Sequence, residues 1–201
     1  LGILSDELCR PFDAARKGLN LGEGAAFLVL EKMEDCAGKK IYGILSGACN
    51  TNDAYHPSSL SPEGEGPYQA MKGALKMANV EQAEVGFINA HGTGTKLNDA
   101  TETLAIKEVF GRRAYDVAIS SSKSLIGHLM AAAGGPEFVF TVLTVHSNQI
   151  HPTINLTQPD PECDLGYVAN VKKSRTVRAA LSNSFGFGGQ NASIIARKYA
   201  P

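Results

Sequence analysis

Apolar residues in this chain come in short blocks separated by polar, glycine-bearing stretches. From Gly24 the run Ala25-Ala26-Phe27-Leu28-Val29-Leu30 is continuously apolar over the length of a strand, and Lys39 to Ala48, with Ile41, Ile44 and Leu45, reads as a second. Runs that are apolar on both sides fit a sheet covered by helices on both faces. Asn, Asp, Ser, Pro and Gly crowd residues 50–66 and predict a long loop. A helix follows, with Ala70, Met71, Ala74, Leu75 and Ala78 on one stripe. Val85-Gly86-Phe87-Ile88 is a short strand that runs into the polar loop Asn89 to Leu97. Asn98 or Asp99 is placed to cap the next helix, and Asp99 and Glu102 have capping-box spacing. That helix carries Leu104, Ala105, Val109 and Phe110 and stops at Gly111. The pattern then repeats: a strand over Asp116 to Ser120, a glycine-bearing loop, and a helix from about Pro136 to His146, with proline in its first turn. Two β-rich runs, Arg178 to Phe185 and Ala192 to Arg197, flank a glycine-rich turn. Alternating strand–loop–helix units predict an α/β layered domain over residues 21–201, and the mixed, polar residues 1–20 read as a connector into it.

Composition narrows the class. The 201 residues are 43% hydrophobic and 19% charged, which suits one ordinary globular domain with a core. A net charge of -1 gives no footprint for nucleic acid or anionic lipid. No apolar run approaches the roughly 20 residues needed to span a bilayer, so no membrane association is expected. Cys9, Cys36, Cys49 and Cys163 are scattered without a CxxC pair, which argues against a zinc site or a disulfide scaffold and for a reducing, cytoplasmic setting. Cys163, within Pro161-Glu162-Cys163-Asp164, fits a surface loop. No signal peptide is expected, and the start at Leu1 reads as that of a fragment.

Three polar segments follow predicted strands, where α/β sheets place their sites. They are Asn89 to Thr95, Ser120 to His128 and Asn183 to Asn191. His91 and His128 occupy matched positions in successive units, each beside a glycine (Gly92, Gly127) that permits close approach. Either histidine could be a hydrogen-bonded structural residue, and a metal pair lacks Asp, Glu or Cys at close ligand spacing. His56 reads as loop, His146 as late in a helix, and His151 as a pre-proline residue. Lys123, five residues before His128, is either a solvated lysine or a cation that keeps a nearby imidazole neutral. A neutral imidazole can still donate N–H to a developing oxyanion. Phe185-Gly186-Phe187-Gly188-Gly189 is either a tight turn between strands or a flexible apolar gate; no phosphate-binding GxxxxGK[ST] occurs.

Together these segments resemble the β-ketoacyl synthase family of the thiolase-like superfamily, most of all the type II fatty-acid elongation enzymes. The two histidine motifs match His91-Gly92-Thr93-Gly94-Thr95 and Lys123-Ser124-Leu125-Ile126-Gly127-His128, and the terminal motif matches Asn183 through Asn191. Arg10-Pro11-Phe12-Asp13 with Gly22-Glu23-Gly24, Asp53-Ala54-Tyr55-His56 and Pro152-Thr153-Ile154-Asn155-Leu156 extend the likeness over essentially the whole chain. The resemblance implies the C-terminal half of a duplicated, layered α/β/α fold. It implies a condensing enzyme in which a cysteine takes an acyl group from a carrier-protein thioester and malonyl carrier protein is decarboxylated onto it. His91 and His128 would stabilise the enolate, Lys123 would position and tune His128, and Glu137 would support the site. Phe187 would be the gate, with its N–H in the oxyanion hole and with Phe185 and Gly188 beside it. Thr93, Thr95, Asn183 and Asn191 would support the motifs, while Asp99 and Glu102 match family positions with a structural character. No metal or cofactor is implied. The implied partners are an acyl carrier protein, a preceding N-terminal half and a second copy in a homodimer.

Two departures stand out. No cysteine here has the nucleophile's setting, so that residue is expected before Leu1, and the isolated chain is expected to be inactive in condensation. Lys96-Leu97-Asn98-Asp99 stands where the family more often has a proline first and a glycine before the aspartate. Gly94 gives a form common in polyketide synthases, which leaves fatty-acid and polyketide pathways both open. The alternatives are a non-catalytic partner of the chain-length-factor kind, against which intact His91, Lys123 and His128 speak, and a thiolase, against which the cysteine-free glycine loop speaks.

Overall fold

A computed structural model describes residues 3–200. In chain order the main elements are β1 (Ile44–Asn52), α1 (Glu65–Ala78), β2 (Val85–Asn89), α2 (Lys96–Phe110), β3 (Ala118–Ser120), α3 (Lys123–Ile126), α4 (Gly134–Ser147), β4 (Gln149–Ile150), β5 (Lys173–Ser174), β6 (Ala179–Gly186) and β7 (Gln190–Arg197). Five strands form one sheet in the order β1-β7-β6-β2-β3, and β4 pairs with β5 in a small separate ribbon. β2 runs parallel to both β3 and β6, while β7 is antiparallel to β6 and to β1. No helix of the described residues is long and apolar enough to cross a membrane.

Strand alternation divides the core between the two faces. On one face Ile88, Ile119, Leu181 and Ile195 pack with Met71 and Leu75 of α1 and Ile106 and Val109 of α2. On the other, Phe87, Ala118, Ala180 and Ala196 pack with Phe138 and Val145 of α4. Three layers result, as the apolar runs predict. The parallel strands β2 and β3 end together at Asn89 and Ser120, so the loops after them leave the sheet side by side.

Two expectations at the start of the chain are reversed. Ala25–Leu30 forms neither strand nor helix, and Phe27 is 96% and Val29 88% exposed. It has strand composition, yet among the described residues no strand lies beside it to share its backbone hydrogen bonds. The second expected strand begins later, at Ile44, and continues through Asn52 into the expected loop. Residues 3–20 are no loose connector. Phe12, Asp13 and Arg16 are buried, and Phe12 stacks on Tyr167 with ring centroids 4.0 Å apart.

Arg16 ties this segment to the domain. Its Nη1 lies 2.5 Å from Asp160 Oδ2 and its Nε 3.5 Å from Asp99 Oδ2, and it also donates to the carbonyls of Asp13, Thr95 and Lys96. Cys163, expected on the surface, is buried in the same neighbourhood, because Asp160 takes the turn inward to meet Arg16. Arg16→Ala would leave the fully buried Asp99 carboxylate without its cation and Asp160 with only Lys96 at 3.9 Å. The expected loss is about 3–5 kcal/mol, measured as a shift of the denaturant midpoint; a loss below roughly 1 kcal/mol, the scale of an exposed pair, would contradict this account.

Candidate active site

The loop after β2 carries His91, and the buried carboxylate of Glu102 holds it. Glu102 Oε1 accepts the His91 N–H at 2.9 Å and Oε2 the Gly92 N–H at 2.8 Å. Asn183 Nδ2 donates to the same Oε1 at 3.0 Å. Burial pushes Glu102 up to about 7 against these bonds. This corrects the capping expectation: α2 begins at Lys96 with Thr95 as N-cap, and neither Asn98 nor Asp99 caps it. Asp99 instead accepts N–H bonds from Phe12 at 2.8 Å and Gly94 at 3.2 Å. Gly92, at φ 39°, has no room for a side chain, since a Cβ would stand 2.6 Å from that of Ser121.

His128 is fixed from a different direction. Its N–H donates to Asn20 O at 2.7 Å, and its carbonyl accepts the Gly22 N–H at 3.0 Å. Gly127, at φ 75°, lets these backbones meet, because a Cβ would lie 2.8 Å from Gly22 N. The two imidazoles stand edge to face, with ring centroids 5.3 Å apart and planes at 85°.

Lys123 is buried and lies between two partners. Its Nζ is 2.5 Å from Glu137 Oε1 and 3.2 Å from His91 Nδ1. Its direct contact is therefore with His91, whereas the sequence had pointed to His128. Toward His128 it acts through its charge. Burial first, and Lys123 second, lower His91 well below the ordinary value of 6.5 and lower His128 to about 4. Burial raises Glu137, opposed by Lys123.

These contacts assign the tautomers. The Met130 N–H, which can only donate, lies 3.0 Å from His128 Nδ1. The Lys123 ammonium is likewise a donor toward His91 Nδ1. Both rings are therefore neutral, with the proton on Nε2. They meet a cleft of about 1550 Å³ that Thr93, Thr95, Phe185 and Phe187 also line. The hydroxyls of Thr93 and Thr95 are 2.9 Å apart. Two imidazole N–H donors side by side in the lining of a partly apolar cleft can stabilise one developing oxyanion.

The glycine turn closes another part of the rim. Phe185 is buried against His91, with centroids 5.6 Å apart, while Phe187 is 55% exposed at the mouth. The turn is tied along its backbone: Gly188 N–H donates to Pro57 O, and Gly188 O and Gly189 O accept from Asn52 Nδ2 and Asp53 N. Asn191 Nδ2 donates to Asp53 Oδ1 at 2.6 Å. The geometry thus brings His91, His128, Lys123, Glu137, Thr93, Thr95 and Phe185 together, joins Asn183 through Glu102, sets Phe187 and Asn191 in the cleft lining, and leaves Gly188 in the exposed turn outside that lining. Sequence reasoning missed the holding roles of Glu102, Asn20 and Asp53. The Asp99–Glu102 spacing was the available signal for Glu102, and it pointed to a cap.

A depressed histidine has a stability consequence. Below the unfolded value of 6.5 the unfolded chain takes up a proton at His128 that the folded chain refuses until about 4, so this residue lowers stability as pH falls through that window. Imidazole titration by NMR should give a His128 midpoint near 4, and His128→Gln should flatten the stability loss between pH 6.5 and 4. A midpoint near 6.5 would refute the depression by burial and the Lys123 charge.

Comparison with known proteins places this geometry. Residues 42–157 match the family model described as the β-ketoacyl synthase C-terminal domain. A 3-oxoacyl-[acyl-carrier-protein] synthase 2 from Synechocystis sp. is 48% identical over 94% of this chain and 46% of its own length. One of the same name from Staphylococcus aureus is 44% identical over 95% of this chain and 47% of its own. The chain therefore spans about half the length of these relatives. Among solved structures, a type II polyketide ketosynthase, seen with its acyl carrier protein and bound to the hexaketide, superposes with a TM-score of 0.96 at 37% identity, covering 99% of this chain and 51% of that one. The thiolase-like layered α/β/α fold follows, and the chain belongs to the β-ketoacyl synthase family, as its C-terminal domain.

Proposed function

We propose that this chain is the histidine-bearing half of a 3-oxoacyl-acyl-carrier-protein synthase, an acyltransferase that performs decarboxylative Claisen condensation in fatty-acid or polyketide assembly. The observation that carries this is the pair of imidazoles lining one cleft, each with a donor on Nδ1 that leaves the proton to Nε2, beside a buried Lys123–Glu137 pair. When malonyl thioester loses carbon dioxide, the electrons of the broken C–C bond move onto the thioester oxygen. The Nε2–H groups of His91 and His128 meet that oxygen as the charge forms, with no reorganisation needed. The enolate carbon then attacks an acyl thioester carried by a cysteine, forms the new C–C bond and expels the thiolate. The backbone N–H of Phe187 would receive the oxyanion of that second addition, with Phe187 gating entry.

The cysteine is proposed to belong to the other half of the protein. The thiols of Cys9 and Cys163 are buried and pushed up to about 11, which suits packing rather than nucleophilic attack. Cys36 and Cys49 do not line the cleft. An acyl carrier protein would deliver both substrates, as the acyl-carrier-protein complex of the polyketide ketosynthase suggests. The whole protein would act as a cytoplasmic homodimer without a resident cofactor.

In the protein that joins both halves, His91→Ala and His128→Ala should each slow malonyl decarboxylation by about 10²–10³, and this chain alone should elongate no acyl group. Release of carbon dioxide unchanged in both variants would overturn the reading, as would elongation by the isolated chain.

A further inference from the structure

The Lys123–His91 contact joins side chains from two different loops, so something must fix the loops against each other. His91 lies after β2 and Lys123 after β3. The neighbouring strand ends set the loops side by side, the last backbone bond between them running from Ala90 N–H to Ser120 O at 2.8 Å; beyond it the described backbones of residues 91–92 and 121–123 share no direct hydrogen bond, and a lysine side chain has four flexible carbons. Glu102 holds the His91 loop from the α2 side and Glu137 holds the ammonium from the α4 side. Neither contact reaches from one loop backbone to the other.

Ser121 does. It is fully buried, and its hydroxyl donates to Gly92 O at 2.7 Å while accepting the Lys123 N–H at 3.3 Å. One oxygen therefore touches the backbone next to His91 and the backbone of Lys123 itself. The serine has supports of its own. Its N–H donates to Thr153 Oγ1 at 2.9 Å, and its carbonyl accepts from Ser124 Oγ at 3.0 Å. It also packs where Gly92 has no side chain. Ser122 is a built-in contrast, since its buried hydroxyl has no hydrogen-bond partner.

We propose that Ser121 is a positioning residue, whose hydroxyl pins the two loops in the register that puts the Lys123 ammonium on Nδ1 of His91. The pin acts on the proposed oxyanion-binding imidazole and in that sense rests on the functional reading above. Its consequence for the ring does not depend on turnover. The charged and titratable groups around His91 are Lys123 on α3, Glu137 behind it on α4, His128 across the cleft, and Glu102 on α2 at the His91 backbone. Of these, only Lys123 donates to Nδ1.

The test is ¹⁵N NMR of the His91 ring in the full chain, read for tautomer and titration midpoint. The parent should show a single form with Nδ1 unprotonated. In Ser121→Ala the tautomers should mix and the His91 midpoint should rise from its depressed position toward the ordinary imidazole value. Ser122→Ala should leave the ring spectrum unchanged, whatever it does to stability. Ser121→Cys, a weaker donor at the same place, should fall between the two, and it is read in the same way if Ser121→Ala does not fold. A parent-like His91 spectrum in folded Ser121→Ala or Ser121→Cys would overturn the proposal, and so would an equal shift in Ser122→Ala. If the ring responds as stated while decarboxylation in the joined protein ignores His91, the pin stands and the functional reading fails.

Discussion

An ammonium removed from water must meet compensating charge, and Lys123 meets it on one side only. Glu137 neutralises it from α4, and the remaining donor capacity turns to the unprotonated nitrogen of His91. A lone buried charge would cost several kcal/mol, so the pair is obligatory once Lys123 lies between α4 and the sheet. The arrangement then dictates the state of the histidines. A fixed cation nearby, added to burial, makes the imidazolium form unfavourable for both rings. The site thus keeps its positive charge one residue back from the cleft and presents neutral donors at the front.

That separation suits the chemistry proposed. An imidazolium would attract the ground-state carboxylate of a malonyl group and the developing enolate alike. A neutral N–H gains most of its interaction only as charge appears on the thioester oxygen, and stabilisation confined to the transition state is what raises a rate. The rest of the domain supports this by position. Glu102, Asn20 and Gly22 bind backbone around the histidines and Lys123 and Met130 take up the two Nδ1 atoms, so Nε2 of each ring stays free for the cleft.

Much of this was legible in the sequence, and the parts that were not share a cause. Periodicity located α1, β2, α4 and the last two strands, because local side-chain patterns determine which face of an element is buried. Matched placement after strands picked out His91 and His128, and their motifs drew in Lys123. What failed depended on contacts distant in sequence. Ala25–Leu30 has strand composition, but a strand needs a neighbour, and composition is silent about neighbours. Phe12, Asp13 and Arg16 look like a polar connector until Asp99 and Asp160, 83 and 144 residues on from Arg16, come to meet them. Asp99 and Glu102 have cap spacing, yet their carboxylates serve loops that the helix start alone does not reveal. Lys123 lies five residues from His128 and touches His91, 32 residues back, because parallel strands bring successive loops together.

The sheet order also sets a timetable. β7 lies between β1 and β6, so among the described residues β1 has no partner strand until β7 arrives. β1 and β7 are separated by 137 residues, and closing a loop of that size favours late assembly. During synthesis, α1, α2 and the histidine loops leave the ribosome with two of the five sheet strands, β6 and β7, still unmade. Released at Phe185, the chain would keep every imidazole and the lysine while losing the strand that joins β1 to the rest. Such a product would be open and association-prone, its chemical groups present and their mutual orientation gone.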